Sequence, residues 1–224
     1  MTREDAPGVR IEPLTAERWD DLVTLFGARG AYGGCWCMWF RKPNAAWSSA
    51  GGDRNRRDLR DLAQAGRVPG LLAYARDRPV GWVSVAPRTE FTRISGVPAL
   101  GSDEVPPDDV WSVVCFYIDR SHRRRGIGRM LLAEAVAHAQ RGGATVVEAY
   151  PLPPKDGATA DENVYTGVLS MYRDAGFREV GRFARWRAVP QVTDPDNAAT
   201  SPAKGRPIVR RSLRSQRRHA GTER

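Results

Sequence analysis

The chain has 224 residues, of which 41% are hydrophobic, and its 35 basic and 26 acidic side chains give a formal net charge of +9. This is the size of one domain with a complete core, and no apolar run approaches the roughly eighteen residues that a membrane-spanning helix needs. The N-terminal M-T-R-E-D-A-P lacks the apolar stretch of a secretion signal, and three cysteines are too few for a disulfide framework. We therefore expect a cytoplasmic protein with no membrane partner.

The first predicted element is an amphipathic helix. It follows a short N-terminal tail over residues 1–8, and Thr15 is placed to cap it. Its apolar residues follow the i, i+3, i+4, i+7 spacing of a helix that packs on a core: Trp19, Leu22, Val23 and Phe26.

An aromatic and cysteine-containing segment comes next, C-W-C-M-W-F from Cys35 to Phe40. A structural zinc site needs four ligands, and neither a second cysteine pair nor a histidine cluster accompanies Cys35 and Cys37, so we predict no metal. A redox-sensitive pair and small buried residues both remain open for these two cysteines.

A charged helix and a hairpin are predicted in the following stretch. Residues Asp53–Ala65 should form the helix, and Gly70–Ala75 and Val80–Ala86 should form two antiparallel strands. The segment Pro87–Pro107 is rich in proline and glycine and has no sustained period, so we predict a long irregular loop. Loops of this length in a compact domain usually serve a function.

A strand, a basic turn and a helix then follow one another. V-W-S-V-V-C-F-Y-I, starting at Val110, has the composition of a buried strand, and the apolar period from Ile127 to Arg141 is that of a helix. A glycine turn that opens into a helix presents free backbone N–H groups and the positive end of the helix dipole to an anion. Two glycines allow close approach of a phosphate and four arginines add donors: Gly126, Gly128, Arg123, Arg124, Arg125 and Arg129.

Three more elements complete the predicted domain, which spans residues 9–189. Residues Thr145–Tyr150 should form a strand in which Glu148 is the only internal charge, and the last strand should lie within Phe177–Val189. Between them, four residues share one helical face: Tyr165, Val168, Leu169 and Tyr172. Residues 190–224 have few large apolar side chains and eight basic against three acidic residues, and we expect them to be a disordered tail.

Two motifs give the chain a resemblance to a known family. The turn is R-x-x-G-x-G from Arg123 to Gly128, and Y-R-D-A-G-F from Tyr172 to Phe177 is similar to a closing Y-x-x-x-G-F. Neither the nucleotide P-loop pattern nor G-x-G-x-x-G is present. With the strand and helix that flank the turn, the chain resembles the GNAT superfamily of acyl-CoA-dependent N-acyltransferases.

The resemblance implies a fold, a cofactor and a set of binding residues. The fold is an α/β fold with a mixed, mostly antiparallel sheet of about six or seven strands, a splayed parallel pair formed by the fourth and fifth strands, and helices on both faces. The co-substrate is acetyl-CoA (coenzyme A), whose diphosphate lies on the turn and whose pantetheine pairs with backbone N–H groups of the fourth strand. The binding residues are then Phe116, Tyr117, Ile118, Arg123, Arg124, Arg125, Gly126, Ile127, Gly128 and Arg129.

The resemblance also implies catalytic residues. Tyr172 stands where relatives commonly carry the tyrosine that protonates the departing thiolate, with a structural tyrosine at the base of a helix as the alternative. Glu148 is the best candidate for the base that deprotonates the amine, and the alternative is a solvated or paired carboxylate on the opposite side of the sheet. A chain of water molecules is an equally good candidate for that base. The asparagine that the family often has seven residues before the tyrosine is replaced by Tyr165. Cys115 has no activating base near it in sequence, which favours core packing.

The expected reaction is direct transfer of an acetyl group to an amine of a small molecule or a protein. Trp36, Trp39 and Trp47 are candidates for the wall of the acceptor pocket, with core packing as the alternative. Two other functions remain open, a non-catalytic acyl-CoA sensor and nucleic-acid binding through the basic tail, although no base-stacking platform supports the latter. A homodimer is left open as well.

Overall fold

In the part of the chain that the structure describes, seven strands form one sheet in the order β1-β2-β3-β4-β5-β7-β6. The computed structural model describes residues 8–95, 105–152, 164–183 and 206–213. All neighbouring strands are antiparallel except β4 and β5, which are parallel. The strands and helices are β1 (Val9–Pro13), α1 (Trp19–Phe26), α2 (Asn44–Gln64), β2 (Gly70–Ala75), β3 (Arg78–Pro87), α3 (Thr92–Ser95), β4 (Val110–Ile118), α4 (Ile127–Arg141), β5 (Val146–Ala149), α5 (Leu169–Asp174), β6 (Arg178–Phe183) and β7 (Arg206–Ser212).

The sheet carries helices on both faces, which confirms the predicted fold class. Alternation along β2 shows how the sequence produces this arrangement, because successive side chains of a strand point to opposite faces. Leu71 and Ala73 pack with the helix α4, whereas Leu72 and Tyr74 pack with α1 and the second half of α2. The central strands are therefore buried on both faces, and nearly every residue of β2 and β3 is apolar or small.

The first helices differ in detail from the predicted ones. The chain makes a 3-10 turn at Ala16–Arg18 before α1 begins, and the Thr15 side chain makes no capping hydrogen bond. The predicted helix Asp53–Ala65 is the second part of the longer α2, which bends at Gly51, where φ is 64° and ψ is 170°. A positive φ with ψ near 180° is readily adopted only by glycine, so the two helical runs meet at a kink at Gly51.

The predicted long loop after β3 begins with ordered structure. A 3-10 turn at Arg88–Glu90 is followed by the one-turn helix α3, and Phe91 and Ile94 are fully buried. Residues 96–104 lie outside the described residues.

The helix predicted around Tyr165 starts later than its apolar pattern indicates. Gly167 has φ +78° and Val168 is extended, so the chain turns before α5 begins at Leu169. The four apolar residues have the spacing of a helix, but Gly167 keeps the chain non-helical until Leu169.

The expectation of a disordered tail is wrong for Arg206–Ser212, which form β7. This strand lies between β5 and β6 and is antiparallel to both. Ile208 and Val209 are only 1% and 0% exposed, one on each face of the sheet. The average composition of residues 190–224 concealed a seven-residue strand with a short apolar centre. The other residues of the predicted tail, 190–205 and 214–224, lie outside the described residues.

The helices of the described residues are all too short or too polar to cross a lipid bilayer.

Candidate active site

The strand β4 continues past the end of its pairing with β5, and we call the edge of β4 from Val114 to Ile118 the wedge. The parallel pairing joins Val110–Val113 to Val146–Ala149 and stops there, whereas β4 runs on to Ile118. On the other side, β4 stays paired with β3, but the register shifts between Ser84, opposite Cys115, and Val85, opposite Val113. Val114 is thus an extra residue in β4, and such a bulge bends the strand and increases its twist. The pairing of β4 with β5 ends at Val113, immediately before this extra residue.

The backbone N–H groups of the three predicted residues of β4 do not all face the wedge. The Asp119 N–H donates to Val80 O of β3 at 2.9 Å, and alternate residues of a strand point their N–H groups to the same side. Tyr117 therefore faces β3, while Phe116 and Ile118 face the wedge. The Phe116 N–H donates to the carbonyl of Tyr165 at 2.5 Å, so any ligand that uses this group must displace Tyr165.

The turn after β4 has the geometry expected of an anion site. Arg124 and Gly126 have left-handed φ values of 60° and 81°, and Gly126 immediately precedes α4. Arg124, Arg125 and Gly126 are exposed, whereas Ile127 is buried and anchors the helix start in the core. The first N–H groups of the 15-residue helix α4 therefore point out of its N-terminus beside two solvent-facing guanidinium groups.

Interactions around the turn hold its shape. Arg123 donates through Nε to the Ile118 carbonyl at 3.1 Å, and Arg129 forms a 2.5 Å ion pair with Asp174 at the end of α5. Asp119 accepts hydrogen bonds from the Ser121 side chain and, at 3.0 Å, from its N–H. The Ser121 hydroxyl, followed by His122, holds the pKa of Asp119 below its usual value. The Asp119 carboxylate thus fixes the backbone at the start of the turn, whereas Arg124 and Arg125 at its far end face solvent.

Gly128 stands between the turn and the wedge. A Cβ built on it would lie 3.5 Å from both Ile118 Cδ1 and Met171 Sδ. The starts of α4 and α5 and the end of β4 therefore meet at this glycine, on the path from the turn into the wedge.

Tyr172 packs beside the wedge. Its ring packs edge-on against Phe116 and Phe177, with centroids 6.5 and 5.2 Å away. The side chain is fully buried, and its hydroxyl donates to the Thr166 carbonyl at 2.9 Å. Burial raises the pKa of this phenol, so the hydroxyl keeps its proton. The structure thus brings Tyr172 next to the predicted backbone-pairing segment of β4.

Glu148 lies on the opposite face of the sheet from α4 and is fully buried. Its Oε2 accepts from Arg210 Nε at 2.6 Å, and its Oε1 accepts from the Tyr150 hydroxyl. Arg88 approaches the same Oε2 at 4.0 Å. Both carboxylate oxygens are therefore engaged, which explains how a charge is accommodated inside an apolar strand.

The three predicted pocket tryptophans pack within the protein. Trp36 is 4% exposed and stacks on Trp19 at 6.0 Å, and Trp39 is 6% exposed and meets Trp47 edge-on at 5.1 Å. Trp47 is the partly exposed member. Core packing thus describes Trp36 and Trp39 in this structure, and Trp47 alone of the three keeps a partly exposed side chain.

Sequence reasoning missed two contributors to the wedge. Arg206 of β7 donates to Thr166 Oγ1 at 3.0 Å and lies over the Tyr165 ring at 6.0 Å, and it belongs to a segment predicted to be disordered. The Tyr165 carbonyl is a backbone group, so no residue type could have signalled its contact with Phe116.

A cleft of about 740 Å³ lies on the other side of the turn, at the β2–β3 hairpin. Its lining includes Arg76, Arg78, His122 and Arg125 but neither Phe116 nor Tyr172. The cleft and the wedge are therefore separate features that share the turn.

Comparison with known proteins gives one family match. The family model described as "Acetyltransferase (GNAT) family" matches residues 36–177. No curated protein matches the chain.

Solved structures of similar fold include several N-acetyltransferases. The PaiA N-acetyltransferase of Thermoplasma acidophilum, in complex with coenzyme A, is 14% identical, with 92% of this chain and 99% of that chain covered and a TM-score of 0.47. A GCN5-related N-acetyltransferase from Kribbella flavida is 17% identical, with 92% and 98% covered and a TM-score of 0.48. The ribosomal-protein-alanine N-acetyltransferase of Brucella melitensis is 17% identical, with 91% and 99% covered and a TM-score of 0.49.

Proposed function

The chain belongs to the GNAT acetyltransferase family, and from that premise we propose that it transfers the acetyl group of acetyl-CoA to the amine of a small molecule or a protein. The observation that carries the proposal is the junction of the basic turn with the wedge. Free helix N–H groups, two exposed arginines and a glycine at the entrance lie at one end, and a splayed strand edge lies at the other. An elongated ligand with a diphosphate and a thioester fits such a path.

The turn would hold the diphosphate. Backbone N–H groups at the start of α4 and the guanidinium groups of Arg124 and Arg125 are donors suited to phosphate oxygens. Three other residues of the predicted set have partners within the protein, and we propose that they hold the shape of the turn: Arg123 donates to the Ile118 carbonyl, Arg129 pairs with Asp174, and Ile127 packs in the core.

The wedge would hold the pantetheine and the thioester. The N–H groups of Phe116 and Ile118 face it, and an N–H aimed at the thioester oxygen stabilises the negative charge that develops as the amine attacks. The Phe116 N–H becomes available when the Tyr165 carbonyl moves away, so ligand entry and a shift of residues 164–168 should occur together.

Tyr172 would protonate the departing thiolate. Its hydroxyl is protonated in the folded protein and donates to the Thr166 carbonyl, and its ring packs on Phe116 at the wedge. Transfer of the proton requires the hydroxyl to leave the Thr166 carbonyl and turn to the sulfur.

The base that deprotonates the amine has two candidates. Glu148 can act directly only if Arg210 or Tyr150 releases one of its oxygens. A chain of water molecules through the wedge requires no such change, and we propose it as the alternative route.

Thermal unfolding with matched ligands tests the proposed function. Acetyl-CoA and S-acetylpantetheine carry the same thioester, but only acetyl-CoA has the diphosphate. A ligand at a hundred times its Kd adds about 2.7 kcal/mol to the free energy of unfolding, which raises the Tm of a domain of this size by roughly 5–10 °C. We expect this rise with acetyl-CoA and little with S-acetylpantetheine. Equal small shifts would refute diphosphate binding, and a large shift without CoA release from an amine library would identify a sensor.

A further inference from the structure

Two of the three cysteines face each other across 78 residues of sequence. The Cys37 and Cys115 sulfurs are 3.6 Å apart, and all three cysteines are free thiols. A disulfide has an S–S length of about 2.05 Å, so the two sulfurs need to approach by roughly 1.5 Å. We propose that Cys37 and Cys115 are a site of oxidative modification, at which a peroxide converts the two thiols into one disulfide.

The fold places Cys37 at this position by an unusual backbone. Trp36 and Cys37 both have left-handed φ values, 44° and 53°, which turn the chain so that Cys37 enters the core beneath Trp82. The Trp82 Nε1–H donates to Cys37 Sγ at 3.0 Å. This hydrogen bond holds the Cys37 sulfur beside β4, where Cys115 lies.

Cys115 is held just as firmly, because it lies at the bulge of β4 opposite Ser84. It is partly exposed, whereas Cys37 is only 4% exposed. A peroxide dissolved in water therefore reaches Cys115 before Cys37, and Cys37 is the buried partner that completes the bond.

The acid–base behaviour of Cys37 agrees with its role as the second thiol to react. The hydrogen bond to Cys115, together with burial, raises the pKa of Cys37, which makes Cys37 a poor first nucleophile. Burial and the neighbouring Cys37 raise the pKa of Cys35 to about 12. Cys35 lies in the same segment as Cys37, and we do not expect it to react, so it serves as the control cysteine.

The reaction balances with hydrogen peroxide as the oxidant. Cys115 sulfur attacks the peroxide, the O–O bond breaks, and a sulfenic acid and one water are formed. Cys37 sulfur then attacks the sulfenic sulfur, the S–O bond breaks, and the hydroxyl leaves as a second water with the thiol proton. The two sulfurs lose two electrons in total, which the peroxide oxygens gain.

The disulfide would tie the aromatic segment to the strand that forms the wedge. Phe116, the residue after Cys115, donates its N–H to Tyr165 and packs its ring on Tyr172. Drawing Cys115 toward Cys37 moves the backbone at the point where we place the thioester. This consequence depends on the proposed function, whereas formation of the disulfide does not. We expect turnover to fall on the order of tenfold, because small displacements at a reacting centre are costly.

Peptide mapping of the full chain tests the site. The protein is treated with hydrogen peroxide, blocked with N-ethylmaleimide and digested with trypsin without reduction. Cleavage after arginine leaves Cys35 and Cys37 together in peptide 30–41 and Cys115 in peptide 94–120, so variants are needed to assign the bond. We expect the linked pair of peptides, two mass units lighter than their sum, in the wild type and in Cys35→Ser. It should be absent in Cys37→Ser and Cys115→Ser.

Three outcomes would overturn the proposal: a linked pair that persists in Cys37→Ser, oxidation to sulfinic acid alone, or full alkylation of all thiols after peroxide. If a serine in the core lowers the Tm, the variants Cys37→Ala and Cys115→Ala are used in place of the serine variants. Turnover before and after peroxide, and after dithiothreitol, is the second measurement. A disulfide that forms with turnover unchanged leaves the modification standing and refutes its effect on the wedge.

Discussion

At the scale of single residues, the two side chains predicted to be catalytic have different surroundings in the structure. Tyr172 contacts Phe116 at the wedge, whereas Glu148 is held by Arg210 and Tyr150 inside the sheet. A tyrosine with a protonated hydroxyl beside the strand edge can act as an acid after a change of rotamer. A carboxylate with both oxygens engaged can act as a base only after its ion pair opens.

Tyr172→Phe should slow turnover by roughly 10²–10⁴-fold, the usual range for a general acid, while the Kd for CoA changes less than about threefold. The variant also loses the hydrogen bond to the Thr166 carbonyl, so we expect a stability loss of about 1–3 kcal/mol. Tyr74→Phe is the control, because it removes a buried hydroxyl that donates to Asp21 at 2.7 Å, far from the wedge. Equal losses of turnover in the two variants would make Tyr172 a structural residue.

The variant Glu148→Gln tests whether Glu148 is the base that deprotonates the amine. Arg210→Gln breaks the same ion pair but keeps the carboxylate, and breaking a buried pair costs about 3–5 kcal/mol in either variant. If Glu148 is the base, only Glu148→Gln should remove the acidic limb from the pH profile of kcat/KM. Similar pH profiles in both variants, with similar losses of Tm, would assign deprotonation to water and leave Glu148 the role of holding β7.

At the scale of elements, the start of α4 is the part of the molecule on which cofactor binding depends. Gly128→Ala places a methyl group in ordinary contact with Ile118 and Met171, and alanine is the better helix former. We expect Tm to stay level or rise while the Kd for CoA increases tenfold or more, because the methyl narrows the path from the turn to the wedge. Calorimetric titration and thermal unfolding measure the two effects. An unchanged Kd would show that the ligand does not pass this glycine.

The C-terminal half of α4 should make stability depend on pH. His138 packs edge-on against Trp111 at 5.5 Å, and burial, followed by the charge of Arg141, lowers its pKa despite the opposing charge of Glu134. A lowered pKa means that the unfolded chain binds the proton more tightly, so this contribution to stability is present above about pH 6.5 and is lost as pH falls. His138→Asn should show a smaller fall of Tm between pH 7.5 and 5.5. The same fall in both proteins would contradict this assignment.

The sequence predicts an element correctly when the residues that indicate it lie close together in the chain. The bounds of β4 and α4 match the prediction because an unbroken apolar run, a glycine turn and a helical period each lie within a few residues. The start of α5 was missed because one left-handed glycine, Gly167, overrode a correct apolar spacing. The contact between the Phe116 amide and the Tyr165 carbonyl depends on tertiary structure alone, and so does the 3.6 Å approach of Cys37 to Cys115.

At the scale of the whole molecule, the C-terminal strand β7 completes the sheet. Three of the arginines that suggested a nucleic-acid-binding tail are used within the fold. Arg206 bonds Thr166, Arg210 bonds Glu148, and Arg211 donates to the Ala175 carbonyl at 2.9 Å. The basic charge of this segment therefore holds α5 and β5 in place, and the boundary predicted at residue 189 divides the sheet from one of its own strands.

Truncation tests the dependence of the fold on this strand. A chain ending at residue 205 loses Ile208 and Val209 from the core and leaves the buried Glu148 without Arg210. Each large buried aliphatic residue contributes about 1.5–3 kcal/mol, and an uncompensated buried charge costs about 3–5 kcal/mol more. Because these losses approach the whole stability of a typical domain, about 5–15 kcal/mol, we expect no cooperative unfolding transition by circular dichroism. A chain ending at residue 213 keeps the strand and should melt within a few degrees of the full protein. If the two truncated chains melt alike, β7 is dispensable and the sheet is complete without it.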